Sequence, residues 1–235
     1  MTEALLEAKD LSVSRGEQVL FKERSFSIEA GSLLQLQGDN GSGKTTMLRA
    51  LCTLIPLDEG ELWWRGEALP AARDNYFSEM VFAGHADGLK SGLTPVENLQ
   101  CNLADKPVSA DECVAALART GLAGKEDLPC RVLSAGQRRR VVLARLLISD
   151  AVLWILDEPL TALDASGREL VASFIEEQVL RGGSVIYSTH QPLQISSRVS
   201  GQIGNKDGTG TSIQTLALSD SVSYTHLTLP TNREV

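Results

Sequence analysis

The sequence predicts an α/β fold: a parallel sheet flanked by helices, an antiparallel β region at the N-terminal end, and a helical subdomain inserted at about residues 86–142. Three observations predict it. Leu33 to Gln37 reads as a strand running into a glycine-rich turn and a helix. Later, Val152 to Leu156, Ala165 to Arg181 and Ser184 to Ser188 read strand, helix, strand, an order that builds a parallel sheet. The first thirty residues carry short, partly alternating apolar stretches separated by turn residues, the period of half-buried strands. Between these regions the strand pattern gives way to three helical segments, each with its own start signal.

The elements follow in order. Leu5 to Ala8 and Leu11 to Val13 are short strands before Gly16, Ser25 to Ile28 alternates, and Ala30-Gly31 turns into the Leu33 to Gln37 strand. A helix is predicted from Gly43 to about Ile55, with Met47, Leu48, Leu51 and Leu54 on one face and Pro56 as its stop. In the insertion, Thr94 caps and Pro95 opens a helix reaching Leu103. Ser109 caps a second helix, periodic at Val114, Leu117 and Ala118 and ended by Gly121; Ser134 caps a third through Val141, Leu143 and Leu147. Gly182-Gly183 closes the Ala165 to Arg181 helix. Beyond Leu193 periodicity fails. Gly201 to Gly210 mixes Gly, Asn, Lys, Asp and Thr, and the closing SVSYTHLTLPTNREV resembles translated sequencing-adapter sequence. Residues 1–200 are read as one domain, and 201–235 as a disordered or artefactual tail without function.

At 235 residues the chain can build one such domain with a sizeable core. A net charge of -8 argues against nucleic acid as a partner, because phosphate recognition needs a basic surface. Arg138-Arg139-Arg140 is a local basic cluster, expected on a solvated helix face, with a contribution to a protein interface as the alternative. Cys52, Cys101, Cys113 and Cys130 show no CxxC spacing, so neither a zinc site nor a redox motif is expected, and a reducing compartment suits them. The N-terminal MTEALLEAKD has no signal-peptide character. The longest apolar run, Ala151 to Leu156, falls far short of the roughly 20 residues a membrane span requires. A cytoplasmic location follows, unless another chain holds the protein at a membrane.

The chemistry lies in three motifs. GDNGSGKT, followed by Thr46, spans Gly38, Asp39, Asn40, Gly41, Ser42, Gly43, Lys44 and Thr45 and fits a phosphate loop between a strand and a helix. Its glycines let successive backbone N–H groups turn toward phosphates at the positive end of the helix. Lys44 bridges the β- and γ-phosphate oxygens in this reading, and Thr45 ligates Mg²⁺. In VLWILDE, a buried strand ends at Asp157, which holds Mg²⁺ through water, and Glu158, which polarises the attacking water. LSAGQ places Ser134, Ala135, Gly136 and Gln137 at a second helix start, hence at a second anion site.

A phosphate loop, then LSAGQ, then a strand ending Asp-Glu, resembles the ATP-binding cassette (ABC) ATPases. That resemblance implies a P-loop NTPase (RecA-like) core, ATP and Mg²⁺ as cofactors, and a dimer with a second copy in which Ser134 and Gly136 bind the γ-phosphate held by the partner. Thr161 to Asp164 matches the family's D-loop, with Asp164 at its end. His190 matches the switch histidine contacting the γ-phosphate, so the catalytic set is Lys44, Glu158 and His190. Two positions depart from the general pattern. The loop that usually carries a glutamine has His85 instead, an imidazole that can accept a hydrogen bond from water or ligate metal. The usual adenine-stacking aromatic is missing near Arg15, with Phe21 as a nearby alternative; that contact stays open. The His85 segment, FAGHADGLKSGLTPVENL, together with LWILDEPLTALD and STHQPL, resembles the ATPase family of the cytochrome c maturation haem exporter, protein A, over about residues 3 to 195. This implies a peripheral ATPase at the cytoplasmic face of the bacterial inner membrane, two copies beneath integral membrane B subunits, and a haem-handling C subunit. Direct haem binding is not expected, since His85 and His190 have other roles and His226 lies in the tail. The alternatives are an ATPase of another small-substrate ABC transporter, a low-turnover nucleotide-binding regulator, and a soluble ABC protein of translation or DNA repair.

Overall fold

A computed structural model describes residues 4–102, 107–190, 193 and 213–218. Two long strands, β1 (Ala4–Arg15) and β2 (Gln18–Glu29), pair antiparallel through a turn at Gly16. β4 (Glu59–Trp64) pairs with the other edge of β1, and β5 (Glu67–Ala68) closes the sheet in the order β2-β1-β4-β5. The two short N-terminal stretches expected from sequence are thus one strand. Asp10, at φ 51, interrupts the apolar alternation and shifts the register without ending the pairing, and Ser25 Oγ accepts a hydrogen bond from its N–H.

The second sheet is parallel, in the order β6-β7-β8-β3-β9, from β6 (Met80–Ala83), β7 (Leu153–Asp157), β8 (Ser184–Ser188), β3 (Leu33–Gln37) and β9 (Ile213–Ala217). Every residue of β7 and β8 is buried, as expected of central parallel strands covered on both faces. The alternation of side chains divides β7 between two cores. Leu153 and Ile155 meet β1 residues together with Met47, Leu48 and Leu51 of α1 (Lys44–Leu51). Trp154 and Leu156 face Val142 and Leu146 of α5 (Ala135–Ile148) and Phe174 and Ile175 of α6 (Ala165–Leu180). With α3 (Pro95–Asn102) and α4 (Ala110–Arg119), α5 forms the helical insertion, which has its own small core of Leu99, Cys113, Leu117, Cys130, Val141 and Ala144. Ser109 and Ser134 each close a reciprocal capping box, with Glu112 and Gln137 respectively. Thr94 and Glu97 exchange the same pair of bonds.

Some expectations change. α1 ends at Leu51 because Thr53 turns left-handed (φ 54) and the chain leaves the helix before Pro56 can stop it. Leu54 is therefore 61% exposed rather than on the apolar face. α4 buries Cys113, Ala116 and Leu117, leaving Val114 and Ala118 outside. The insertion helix expected to reach Leu103 is described to Asn102; Leu103 lies outside the described residues. β4, β5, β6 and α2 (Leu69–Glu79) were not anticipated, because their short sequences lack a clean period. Among the described residues no helix is long and apolar enough to cross a membrane.

The reading of everything past residue 200 as tail fails at 213–218. There β9 pairs with β3 over five residues, the Leu218 N–H donates to Gln37 O at 2.9 Å, and the Leu218 side chain is buried in the larger core. Residues 201–212 and 219–235, including the adapter-like ending and His226, lie outside the described residues. Leu218→Ala is expected to cost about 3 kcal/mol as a buried leucine truncation, a fall in Tm of about 10 °C for a domain of this size. A thermal melt unchanged within a degree would place this segment outside the cooperative fold.

Candidate active site

The end of β3 delivers the chain into the Gly38 to Gly43 loop, and α1 begins at Lys44. Gly43 holds φ 94, and a Cβ there would press on Leu20 O at 3.3 Å, so a side chain would be strained twice over. Among the described residues no side chain caps α1, which leaves its first backbone N–H groups available to a ligand. Lys44 is only 7% exposed, and its Nζ donates to Gly38 O at 2.6 Å and Asp39 O at 2.9 Å, so the ammonium lies across its own loop. Ser42 Oγ is buried and has no hydrogen-bond partner among the described residues. Asp39, Asn40 and Gly41 are exposed, and Thr46 is half-buried. A buried cation resting on carbonyls, an orphaned hydroxyl and uncapped helix amides together fit a phosphate chain.

β7 and β8 are in parallel register with Asp157 opposite Ser188. This register places Ser188 Oγ 2.7 Å from Asp157 Oδ1, to which it donates; Thr45 Oγ1 donates to the same oxygen at 3.2 Å. The Thr45 hydroxyl and Asp157 carboxylate form a hard, all-oxygen pair suited to Mg²⁺. Sequence reasoning passed over Ser188. The available signal was a hydroxyl at the C-terminal end of a strand predicted to neighbour the Asp157 strand.

Glu158 stands just past β7 with φ 50, a left-handed conformation that costs a non-glycine residue of order 1 kcal/mol. Its N–H donates to both Ser188 O (3.2 Å) and Ser188 Oγ (3.1 Å). Its Oε1 is buried and accepts no hydrogen bond among the described residues, yet lies 3.2 Å from His190 Nε2. The two groups are within ion-pair reach but off hydrogen-bond alignment. The His190 side chain remains half-exposed. Lys44, Thr45, Asp157, Glu158 and His190 thus converge at the C-terminal ends of β3, β7 and β8, where open parallel sheets place their ligands.

The signature residues gather elsewhere. Ser134 Oγ accepts the Gln137 N–H (3.2 Å), and Gln137 Oε1 accepts the Ser134 N–H (3.0 Å). Ser134 and Ala135 are exposed at the positive end of a 14-residue helix. Gly136 touches the Thr161 to Asp164 loop: a Cβ on it would sit 2.9 Å from Ala162 O. Asp164 caps α6 through Gly167 N–H (2.8 Å) and receives Arg140 Nη2 (3.1 Å). The Gly167 N–H, then Ser166, hold its carboxyl below the usual range.

The three arginines do not form a solvated face. Arg138 pairs with Asp87 (2.9 Å), and Arg140 reaches Thr120 O and Asp164. Arg139 is 5% exposed; its position three residues before Val142 puts it on the buried side of α5. Burial pulls its pKa down, opposed chiefly by the Asp157 carboxylate. It donates to Gly84 O, Asp157 O and Glu158 O. His85 itself is exposed, immediately after Gly84. Phe21 is buried in the core beside Gly43, while Arg15 is exposed at the hairpin end, so Phe21 is not available to stack on a base without leaving the core.

The chain resembles known proteins in sequence and in fold. Residues 21–161 match the family model described as ABC transporter. The chain is 46% identical to the cytochrome c biogenesis ATP-binding export protein CcmA of Hahella chejuensis, over 83% of this chain and 93% of that protein. It is 49% identical to the same-named protein of Nitrosospira multiformis, over 81% and 94%. For that of Escherichia coli (strain K12), the figures are 45% identity over 82% and 92%. Among solved structures, an ABC transporter ATP-binding protein from Pyrococcus furiosus shares the fold with a TM-score of 0.72 at 24% identity, covering 91% of this chain and 96% of that one. A dimeric ATP-binding cassette in a post-hydrolysis state bound to ADP and phosphate has a TM-score of 0.69 at 24% identity, covering 79% and 88%.

Proposed function

The chain belongs to the ABC transporter family and, within it, to the cytochrome c biogenesis ATP-binding export proteins; from that premise we propose that it is the ATP-hydrolysing subunit of a membrane complex serving haem export or delivery for c-type cytochromes. The observation that carries hydrolysis is Glu158: a buried, unbonded carboxylate oxygen beside His190, one residue past the Asp157 that Thr45 and Ser188 hold. The cargo follows from the likeness, which spans 92–95% of the relatives' own length.

In the proposed mechanism the α1 amides and Lys44 take the phosphates of ATP, Nζ exchanging the Gly38 and Asp39 carbonyls for phosphate oxygens. Thr45 and Asp157 would hold Mg²⁺, which neutralises charge on the β- and γ-phosphates. Glu158 orients the attacking water, and His190 contacts the γ-phosphate. Ser134, Ala135, Gly136 and Gln137 form the N-terminus of α5, which would complete the site of a second copy. Each copy lies beneath an integral membrane B subunit at the cytoplasmic face of the inner membrane, with a C subunit handling haem; this chain does not touch haem or nucleic acid.

Supplying the chain with its membrane subunits to a bacterium lacking its own ATP-binding subunit should restore covalently haem-bearing c-type cytochromes. Robust ATP hydrolysis with no cytochrome restored would sink the cargo. Gly136→Ala is expected to lower turnover about tenfold while ATP still binds, because the new methyl must push Ala162 and the signature apart. Measured by steady-state hydrolysis and ATP titration, wild-type turnover in this variant would remove the signature from the mechanism.

A further inference from the structure

We infer that Arg139 is a positioning residue for hydrolysis, fixing the Glu158 backbone and the segment before His85 to the helix that starts at Ser134; the inference rests on the hydrolytic reading above. One guanidinium connects three parts of the molecule. Nη2 donates to Asp157 O (3.1 Å) and Glu158 O (3.0 Å), the carbonyls on either side of the Glu158 Cα. Nη1 donates to Gly84 O (2.7 Å), immediately before His85. Arg139 itself belongs to α5, five residues after Ser134.

The geometry favours positioning over simple cohesion. Glu158 holds a left-handed backbone that its own chemistry disfavours. Its N–H is tied to Ser188 of β8, and both flanking carbonyls are tied to Arg139. With these three groups held, the carboxylate is aimed by backbone bonds on both sides. The planar fork of arginine supplies donors in the directions these carbonyls need, which a lysine ammonium does not reproduce. These three Arg139 hydrogen bonds go to backbone oxygens, and its buried Nε has no partner among the described residues. A buried charge so placed adds little to stability compared with an apolar side chain of similar size. Its value therefore lies in where it holds Glu158. The same bonds make any displacement of the Gly84–His85 segment or of α5 felt at the Glu158 carboxylate.

The test is a double-variant cycle on the full chain in its membrane complex, with kcat expressed per ATP-binding site so that loss of folded protein does not count. Arg139→Met should lower kcat about 30-fold, within the range for misplacing a group that assists proton transfer, and leave the ATP Kd within about threefold. Glu158→Gln alone should also lower kcat, and adding Arg139→Met to it should cause no further loss, because both act through one carboxylate. Arg139→Lys should show an intermediate kcat and the same non-additivity, and it decides the matter if Arg139→Met does not fold. Multiplying losses in the double variant, an unchanged kcat, or an ATP Kd that rises in step with kcat would overturn the proposal. Wild-type turnover in Glu158→Gln would instead sink the hydrolytic reading itself.

Discussion

Lys44→Ala is expected to reduce ATP turnover at least about 10³-fold, the upper end of the effect of deleting one preorganised donor to a developing charge. The argument starts from burial. Lys44 is nearly enclosed, and its ammonium is held by Gly38 O and Asp39 O. In the proposed mechanism those carbonyls are interim partners that Nζ exchanges for phosphate oxygens. Alanine removes the cation that bonds the loop backbone, while the α1 amides remain. Phosphates would then bind weakly and their transition-state charge would lack its counter-charge. Steady-state hydrolysis by the full chain in its complex, with a thermal melt as the folding control, checks this. Turnover above about a tenth of wild type would remove Lys44 from the catalytic set.

Glu158→Gln is expected to separate binding from chemistry. The amide has nearly the shape of the carboxylate, so the left-handed turn, the Ser188 bonds and the Arg139 bonds should survive. What is lost is the basic oxygen now buried 3.2 Å from His190 Nε2. General base assistance typically contributes about 10²–10⁴-fold, so kcat should fall by that range while ATP affinity changes little. ATP held without hydrolysis should accumulate as a dimer, because each exposed Ser134 end would stay engaged with the partner's nucleotide. Sedimentation with Mg²⁺ and ATP reads this directly. Rapid hydrolysis would reject the role of Glu158, and a monomer at saturating ATP would argue against the shared-site arrangement for the isolated subunit.

Much of this was legible in the chain because the informative residues are close in sequence. A phosphate loop works through consecutive backbone groups between a strand and a helix, so its spacing is its geometry. The buried strand before Asp157 shows as an uninterrupted apolar run, and the caps at Ser109 and Ser134 show as Ser with Glu or Gln three residues on. Less legible were elements whose form depends on remote partners. β9 has little pattern of its own and is held by β3 on its edge and by the larger core around Leu218. The three arginines read as a surface cluster because composition counts charge without showing which carbonyls face it.

By itself, the sequence determined the nucleotide chemistry and the family, since both depend on short motifs whose backbone geometry is local. Only the tertiary structure decided how the motifs are joined. Parallel register places Ser188 against Asp157, β8 and α5 grip Glu158 from opposite sides, Gly136 lies against Ala162, and residues 213–218 close the sheet beside the phosphate loop. Those relations are set by strand order and close approach across more than a hundred residues of chain in some cases, distances over which hydrophobic period and spacing carry no information.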